Sequence, residues 1–250
     1  MIRKSILHYL IMAFSLVSFT YGMKEDLNKQ LLGAAQNGNL AQVKELLKNE
    51  FVDVNCIDIS NIYDHTSLSY ACAAGHFEIV KLLVEHKANI NYIAPKGYYP
   101  LYWACIRGHL RIVKLLLSKG AQIYQDSGKD PLLFLSLNEY PDIVKTFLDY
   151  GANPNIINAE RGTTPLIAAA MTGNIKIVQL LLDNNADTNI KTRYDKKTAR
   201  DYAFEGGYGP IVVAIDRAEN KRAIQLLVSQ RLLAPRMEHT IQYLLAINRI

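Results

Sequence analysis

The stretch TTPLIAAAMTGNIKIVQLLLDNNADTN, Thr163 to Asn189, decides how the rest of the chain is read. A polar cap and Pro165 precede an apolar run, Gly173-Asn174 supplies a turn, and a second apolar run ends at Asn184-Asn185. Pro fits the first turn of a helix, where its missing N–H costs nothing, and Thr at the preceding position caps an orphan donor. The order predicts two short antiparallel helices joined by a tight turn.

The same order recurs along the chain. Starts of first helices align at His65, Tyr98, Asp130, Thr164 and Thr198, with steps of 33, 32, 34 and 34 residues. Second helices recur in step as Val43–Leu47, Ile79–Leu83, Ile112–Leu116, Ile143–Phe147 and Ile177–Leu181. Exit turns follow at Ala88–Asn91, Gly120–Ile123, Gly151–Asn155 and Ala186–Asn189. Thr164 and Asp130 are expected N-caps. The small pairs Ala34-Ala35, Ala71-Cys72, Ala104-Cys105 and Ala169-Ala170 allow neighbouring first helices to approach closely, while the Ile, Val and Leu pairs of the second helices supply buried area. No single unit can bury both of its faces, so the units must share one continuous core.

At these residues the chain resembles the ankyrin repeat family, and the resemblance covers about Asp26 to Gln230 because one motif recurs in register several times. It implies an all-α solenoid of about six to seven helix-turn-helix units with β-turn fingers. The units fall near residues 26–55, 56–91, 92–124, 125–155, 156–189 and 190–230. The His that often follows Thr-Pro-Leu in the family is replaced by Ser69, Tyr102, Leu133, Ile167 and Asp201. The end is less regular. Either the sixth unit has lost its second helix, with Gly209–Ile215 opening a fresh first helix and Ala223–Leu227 closing it, or residues 210–218 supply that second helix in altered form. Residues 231–250 read as a C-terminal capping segment, with an amphipathic helix from Met237 to Ile250.

The N-terminus stands apart. Arg3 and Lys4 precede an apolar run of 14 residues, Ile6 to Phe19, and Thr20-Tyr21-Gly22 offers small residues where a signal peptidase reads. This run is short of the ~20 residues a spanning helix needs, so residues 1–22 are expected to be a cleaved secretory signal, an uncleaved anchor being the alternative. Export to the periplasm or beyond the cell follows, with no membrane association after cleavage. Residues 23–250 carry 26 basic against 23 acidic side chains, well dispersed, which disfavours nucleic acid as a partner. Three cysteines, an odd number, make a disulfide framework improbable. Cys72 and Cys105 occupy the same place in adjacent units. Packed helices lie about 8–10 Å apart and a disulfide needs Cα atoms within about 7 Å, so both are expected to be core residues.

An enzyme needs a nucleophile, an acid–base pair, a metal cluster or a phosphate loop at workable spacing. The chain has no Gly-rich loop ending in Gly-Lys-Ser/Thr, no H-E-x-x-H and no G-x-S-x-G. No catalytic activity, cofactor or metal is expected. His76 and His109 fit the family's Gly-His turns, whereas His65, His86 and His239 are isolated and expected at the surface.

Family members mostly bind other proteins, through the finger tips and the exposed ends of the first helices. Carried over position by position, the resemblance implies a protein-binding surface of Lys96, Tyr98, Ile106 and Arg107 in the third unit, and Ser127 and Lys129 in the fourth. It adds Arg161, Thr163, Met171 and Thr172 in the fifth unit, and Tyr194 and Lys197 in the sixth. The set leans basic, which points to a partner with an acidic or mixed face. Tyr102 and Trp103 are expected to pack, and Tyr98, beside Gly97, to sit at a finger tip as a binding anchor. The expected function is a monomeric, exported interaction protein. The wealth of Ile, Asn, Lys and Tyr, and the lack of any N-x-S/T acceptor, resemble host-directed factors of host-associated bacteria. The alternative is a periplasmic structural or chaperone-like partner of a bacterial enzyme.

Overall fold

The computed structural model describes the backbone of residues 2–60, 62–123, 132, 135–136 and 140–229; within residues 2–19 only the side chain of Met12 is described. The chain divides into two compact units, Met1–Pro131 and Leu132–Ile250, each built of short helix pairs in two layers.

In the first unit α1 (Ile2–Asn37), α3 (Ser67–Ala74) and α5 (Pro100–Ile106) form the layer of first helices. The second helices α2 (Leu40–Leu46), α4 (Phe77–Glu85) and α6 (Leu110–Ser118) pack beside one another and beneath them. The two layers differ in composition for a physical reason. First helices must approach on both sides, so Ala34, Ala35, Ala71, Cys72, Ala104 and Cys105 are all buried in that layer. Second helices bury one stripe at i, i+1 and i+4, as in Ile79, Val80 and Leu83 of α4 and Ile112, Val113 and Leu116 of α6. Each such side chain contributes roughly 1.5–3 kcal/mol of burial.

The N-terminal segment that the sequence sets apart is continuous with the repeats: α1 runs from residue 2 to 37 without a break, and its C-terminal end supplies the first helix of the first repeat. Among the described residues no helix is long and apolar enough to cross a membrane.

In the second unit Leu132, Leu135 and Ser136 are buried ahead of α7 (Pro141–Asp149). Then follow α8 (Pro165–Met171), α9 (Ile175–Asp183), α10 (Ala199–Glu205) and α11 (Gly209–Ser229). The first helices α8 and α10 pack together, while α9 packs against α7 on one side and α11 on the other. This settles the two readings of the sixth unit. Residues 209–229 form one continuous helix that occupies the second-helix position, and no fresh first helix begins at Gly209. Pro210 lies in its first turn, where it is tolerated, and the Ala-, Glu-, Lys- and Arg-rich middle has no breaker. Bidentate contacts from Arg200 to Asp216, at 2.6 and 3.1 Å, tie α10 to this helix, and Arg222 Nη2 donates to the carbonyl of Ala186 at 2.6 Å. The expected capping segment, residues 231–250, lies outside the described residues.

Thr66, Thr164 and Thr198 cap their helices through the backbone N–H groups of Ser69, Ile167 and Asp201, and Thr198 and Asp201 form a full capping box. Asp130 lies outside the described residues.

Neighbouring repeats are joined by two kinds of link. The first is ring on glycine. His76 Nε2 bonds the carbonyl of Gln36 at 3.1 Å, and His109 Nε2 that of Ala73 at 3.3 Å, with each ring lying across the preceding turn at Gly38 or Gly75. Tyr208 covers Gly173 in the same way. The second is an asparagine ladder along the exit turns. Asn55, Asn91 and Asn155 accept from the backbone N–H groups of Asn89, Gln122 and Asp187 at 2.7, 2.9 and 2.6 Å, each one repeat ahead.

Two residues past the ends of α4, α6, α7 and α9 the backbone adopts a left-handed conformation. Glycine serves at Gly120 and Gly151, but Lys87 (φ 67°) and Asn185 (φ 63°) hold the equivalent places. A left-handed L-residue costs about 1–2 kcal/mol, partly offset by glycine's greater freedom when unfolded. Lys87→Gly is therefore expected to stabilise the chain by about 0.5–1 kcal/mol, read as a higher urea midpoint.

Candidate protein-binding surface

In the first unit the finger before α3 is a genuine hairpin. Strands β1 (Ile57–Asp58) and β2 (His65–Thr66) pair antiparallel, with Ile57 opposite Thr66 and Asp58 opposite His65. Its base is held by Asp58, whose carboxylate accepts from the Ser60 hydroxyl and the Tyr70 hydroxyl, both at 2.5 Å. Burial works to raise the Asp58 pKa, but those hydrogen bonds outweigh it and keep the carboxylate below its usual range. Ile59 and Ile62 stand exposed at the tip.

An aromatic box fills the space between this finger and the next. His65 stacks on Tyr70 at 4.5 Å and lies 4.8 Å from Trp103, which in turn meets Tyr63 at 5.5 Å and Tyr98 at 5.1 Å. His65 is therefore buried, not at the surface as its isolation in the sequence suggests. Its neighbours come from the finger, α3 and α5, and only folding collects them. Trp103 is buried and Tyr102 half-buried, as expected for packing residues. Tyr98 is half-buried within the same box, so its ring is already engaged by Tyr63, Tyr102 and Trp103.

Nδ1 of His65 is buried and has no hydrogen-bond partner among the described residues. Burial pushes its pKa below the usual 6.5, with the Asp58 charge opposing. A depressed histidine pKa means that the unfolded chain binds more protons in the interval between the two values. Stability from His65 is thus fully present above about pH 6.5 and is lost as pH falls from there toward the depressed value. Trp103 is the single tryptophan of the chain, so its fluorescence is expected to report an acid transition that His65→Phe removes.

Of the expected contact residues in the third repeat, Lys96 and Arg107 are exposed and Ile106 is half-buried at the end of α5. Lys96 Nζ sits 5.9 Å over the Tyr63 ring. Ser127 and Lys129 lie outside the described residues.

In the second unit Pro165 through Ala170 of α8 are all buried, and exposure begins abruptly at Met171 and Thr172. The Thr172 hydroxyl donates to the carbonyls of Ala168 and Ala169 at 3.3 and 3.2 Å. Arg161 is exposed on the fifth finger, Thr163 half-buried at its base, and Tyr194 exposed at 81 % on the sixth. Lys197 is half-buried and paired with Glu205 at 2.7 Å. Two fingers meet here: the Arg193 N–H donates to the Arg161 carbonyl at 2.8 Å. Arg193 and Lys196, exposed beside these residues, were not legible as contacts, because only the fold shows which finger charges are already paired.

Burial disfavours the thiolate form at Cys56 and Cys72. Burial pushes Cys56 up to about 11, with the Ser67 hydroxyl pulling the other way, and pushes Cys72 higher still. Among the described residues no three His, Cys, Asp or Glu side chains converge to hold a metal ion.

A family model described as ankyrin repeats (3 copies) matches residues 31–127 and 132–232. Ankyrin repeat protein nuc-2 of Neurospora crassa is 34 % identical over 69 % of this chain and 16 % of its own length. E3 ubiquitin-protein ligase XBAT32 of Arabidopsis thaliana is 32 % identical over 74 % of this chain and 41 % of its own. The chain thus spans less than half the length of these curated relatives. Among solved structures, a chain from the Bd0816 predatory endopeptidase of Bdellovibrio bacteriovorus in complex with immunity protein Bd3460 superposes with a TM-score of 0.65 at 26 % identity, covering 76 % of this chain and 97 % of that one.

Proposed function

Because the chain belongs to the ankyrin-repeat family, we propose that it is a non-catalytic scaffold that holds a partner protein through its finger tips and the C-terminal ends of its first helices. The carrying observation is the sharp boundary inside the fifth repeat. Six consecutive residues of α8 are committed to packing, and the next two, Met171 and Thr172, are exposed beside a finger bearing Arg161. Contact residues can therefore change without disturbing the stack.

The N-terminal apolar segment supports export, and composition supports a host-associated bacterial source. The reading as a partner of a bacterial enzyme gains from the solved complex: the match runs through 97 % of a chain that belongs to an assembly of an endopeptidase and its immunity protein. Fractionation separates the two, recovery in the periplasm favouring the enzyme partner and recovery in host cytosol the host-directed role.

Affinity capture on the immobilised chain tests the scaffold itself. Reversing the charge of Arg107 and Arg161 together is expected to weaken capture by roughly tenfold, since exposed charges at an interface act mainly on encounter and selectivity. Undiminished capture by the double variant would remove these residues from the surface.

A further inference from the structure

We propose that the fifth and sixth fingers form one cationic docking surface for an acidic segment of the partner protein, with Arg161, Arg193 and Lys196 supplying charge and Tyr194 the anchor. The inference rests on the scaffold reading and assigns its partner a chemistry.

The two fingers are joined through their backbones. Besides the bond from the Arg193 N–H to the Arg161 carbonyl at 2.8 Å, Gly162 (φ +70°) is so close that a Cβ there would meet both Cγ and N of Arg193 at 3.0 Å. Arg161 and Arg193 are thus brought side by side from fingers 32 positions apart in the sequence.

The stretch Lys191–Lys197 holds four cations and one acid, and the fold decides which of them are free. The Asp195 carboxylate is taken up by the Thr192 hydroxyl and by the Tyr202 hydroxyl at 2.6 Å. Lys197 is held by Glu205. Lys191 lies near enough to Asp201 to favour its ionised form. Arg161, Arg193 and Lys196 remain exposed, and among the described residues none of the three lies within ion-pair distance of a carboxylate. Glu160, next to Arg161, is also exposed and makes no pair with it.

The surface is ordered in advance. Lys196 occupies a left-handed turn (φ 56°) closed by the Thr192 N–H to the Lys197 carbonyl at 3.0 Å and by the Lys197 N–H to the Thr192 hydroxyl at 3.1 Å. Little backbone freedom remains to be lost on binding. Tyr194, the most exposed aromatic residue among the described residues of the unit, stands between the charges and supplies apolar area. Three cations on two finger tips, with Glu160 and Asp195 among them, are too few and too interrupted to track a phosphate backbone. They suit a short carboxylate-bearing segment with an apolar side chain for Tyr194.

The probe is a labelled synthetic peptide of alternating Glu and Asp around a central Leu, followed by fluorescence anisotropy on the full chain. It is expected to bind, more weakly as salt rises, and R161E/R193E is expected to lose at least about tenfold in affinity. K176E/K221E carries the same change in net charge on exposed second-helix residues and is expected to bind as the unaltered chain does. An unchanged thermal midpoint shows that both variants fold, and R161Q/R193Q should give an intermediate loss. Equal losses in the two glutamate variants, no binding of the peptide, or tighter binding to duplex oligonucleotide or phosphatidylglycerol vesicles would each overturn the inference. Partner capture that survives R161E/R193E overturns it too, and leaves the scaffold reading standing.

Discussion

Gly75→Ala is expected to destabilise the first unit by about 3 kcal/mol, through two costs that add at one atom. Gly75 sits at φ +81°, where an L-residue is strained, and a Cβ there would lie 2.6 Å from Cε1 of His109. The ring cannot simply retreat, because its Nε2 is committed to the carbonyl of Ala73. Moving it orphans that carbonyl and loosens the junction between the second and third repeats. The check is a urea titration followed by circular dichroism, with His109→Ala made alongside. If the ring contact is the larger cost, Gly75→Ala in the His109→Ala background should be much less damaging, since the three atoms nearest the added methyl all belong to that ring. A shift equal to that of Gly33→Ala, where no atom lies within 4 Å of the new Cβ and the helical backbone accepts alanine, would refute the assignment.

Trp103→Ala is expected to cost about 3–5 kcal/mol, as for other large aromatic side chains removed from a core. Its consequences should reach past its own helix, because Trp103 is the wall against which His65, Tyr63 and Tyr98 rest. Water admitted to the box would reach Nδ1 of His65 and return its pKa toward the ordinary value. Hydrogen exchange is expected to increase in the hairpin amides as well as in α5. The acid dependence attributed to His65 should flatten, which proton NMR of the imidazole can follow. A loss of stability with the His65 titration unchanged would mean that the box is not one packing unit.

The repeat was legible because its parts obey local rules. Thr164, Pro165, Gly173 and the Leu pairs of the second helix each answer a question that neighbouring residues alone pose: how a helix starts, turns or buries a stripe. Other features depend on residues brought together from afar. Asn55, Asn91 and Asn155 recur at matching places in the exit turns, so the ladder left a signal in the sequence, yet asparagine in a turn is common enough to pass as a turn former. His65 left none, since Tyr70 and Trp103 are distant in the chain. The sixth repeat left two readings open in the sequence: Gly209-Pro210 resembles a helix start, and only the packing against α9 and α10 shows that it starts a second helix.

The surface divides similarly. Position in the repeat is enough to place Arg161, Met171 and Thr172 at an exposed edge. It cannot show that Lys197 is occupied by Glu205, that Asp195 is occupied by Tyr202, or that Arg193 is held beside Arg161, because these outcomes depend on contacts across a turn and between fingers.

The asparagine ladder also bears on how the chain is made. Each rung, from Asn55 to Asn89, Asn91 to Gln122 and Asn155 to Asp187, closes a loop of 31 to 34 residues and no more. No rung waits for a distant part of the sequence to be synthesised. Topologies of such low contact order collapse quickly, and in a stack where each repeat answers only to its neighbours a nucleus can form at any adjacent pair and spread in either direction. Within each unit a nascent chain can therefore lock a repeat that carries a rung onto its neighbour as soon as the next thirty or so residues are free to move.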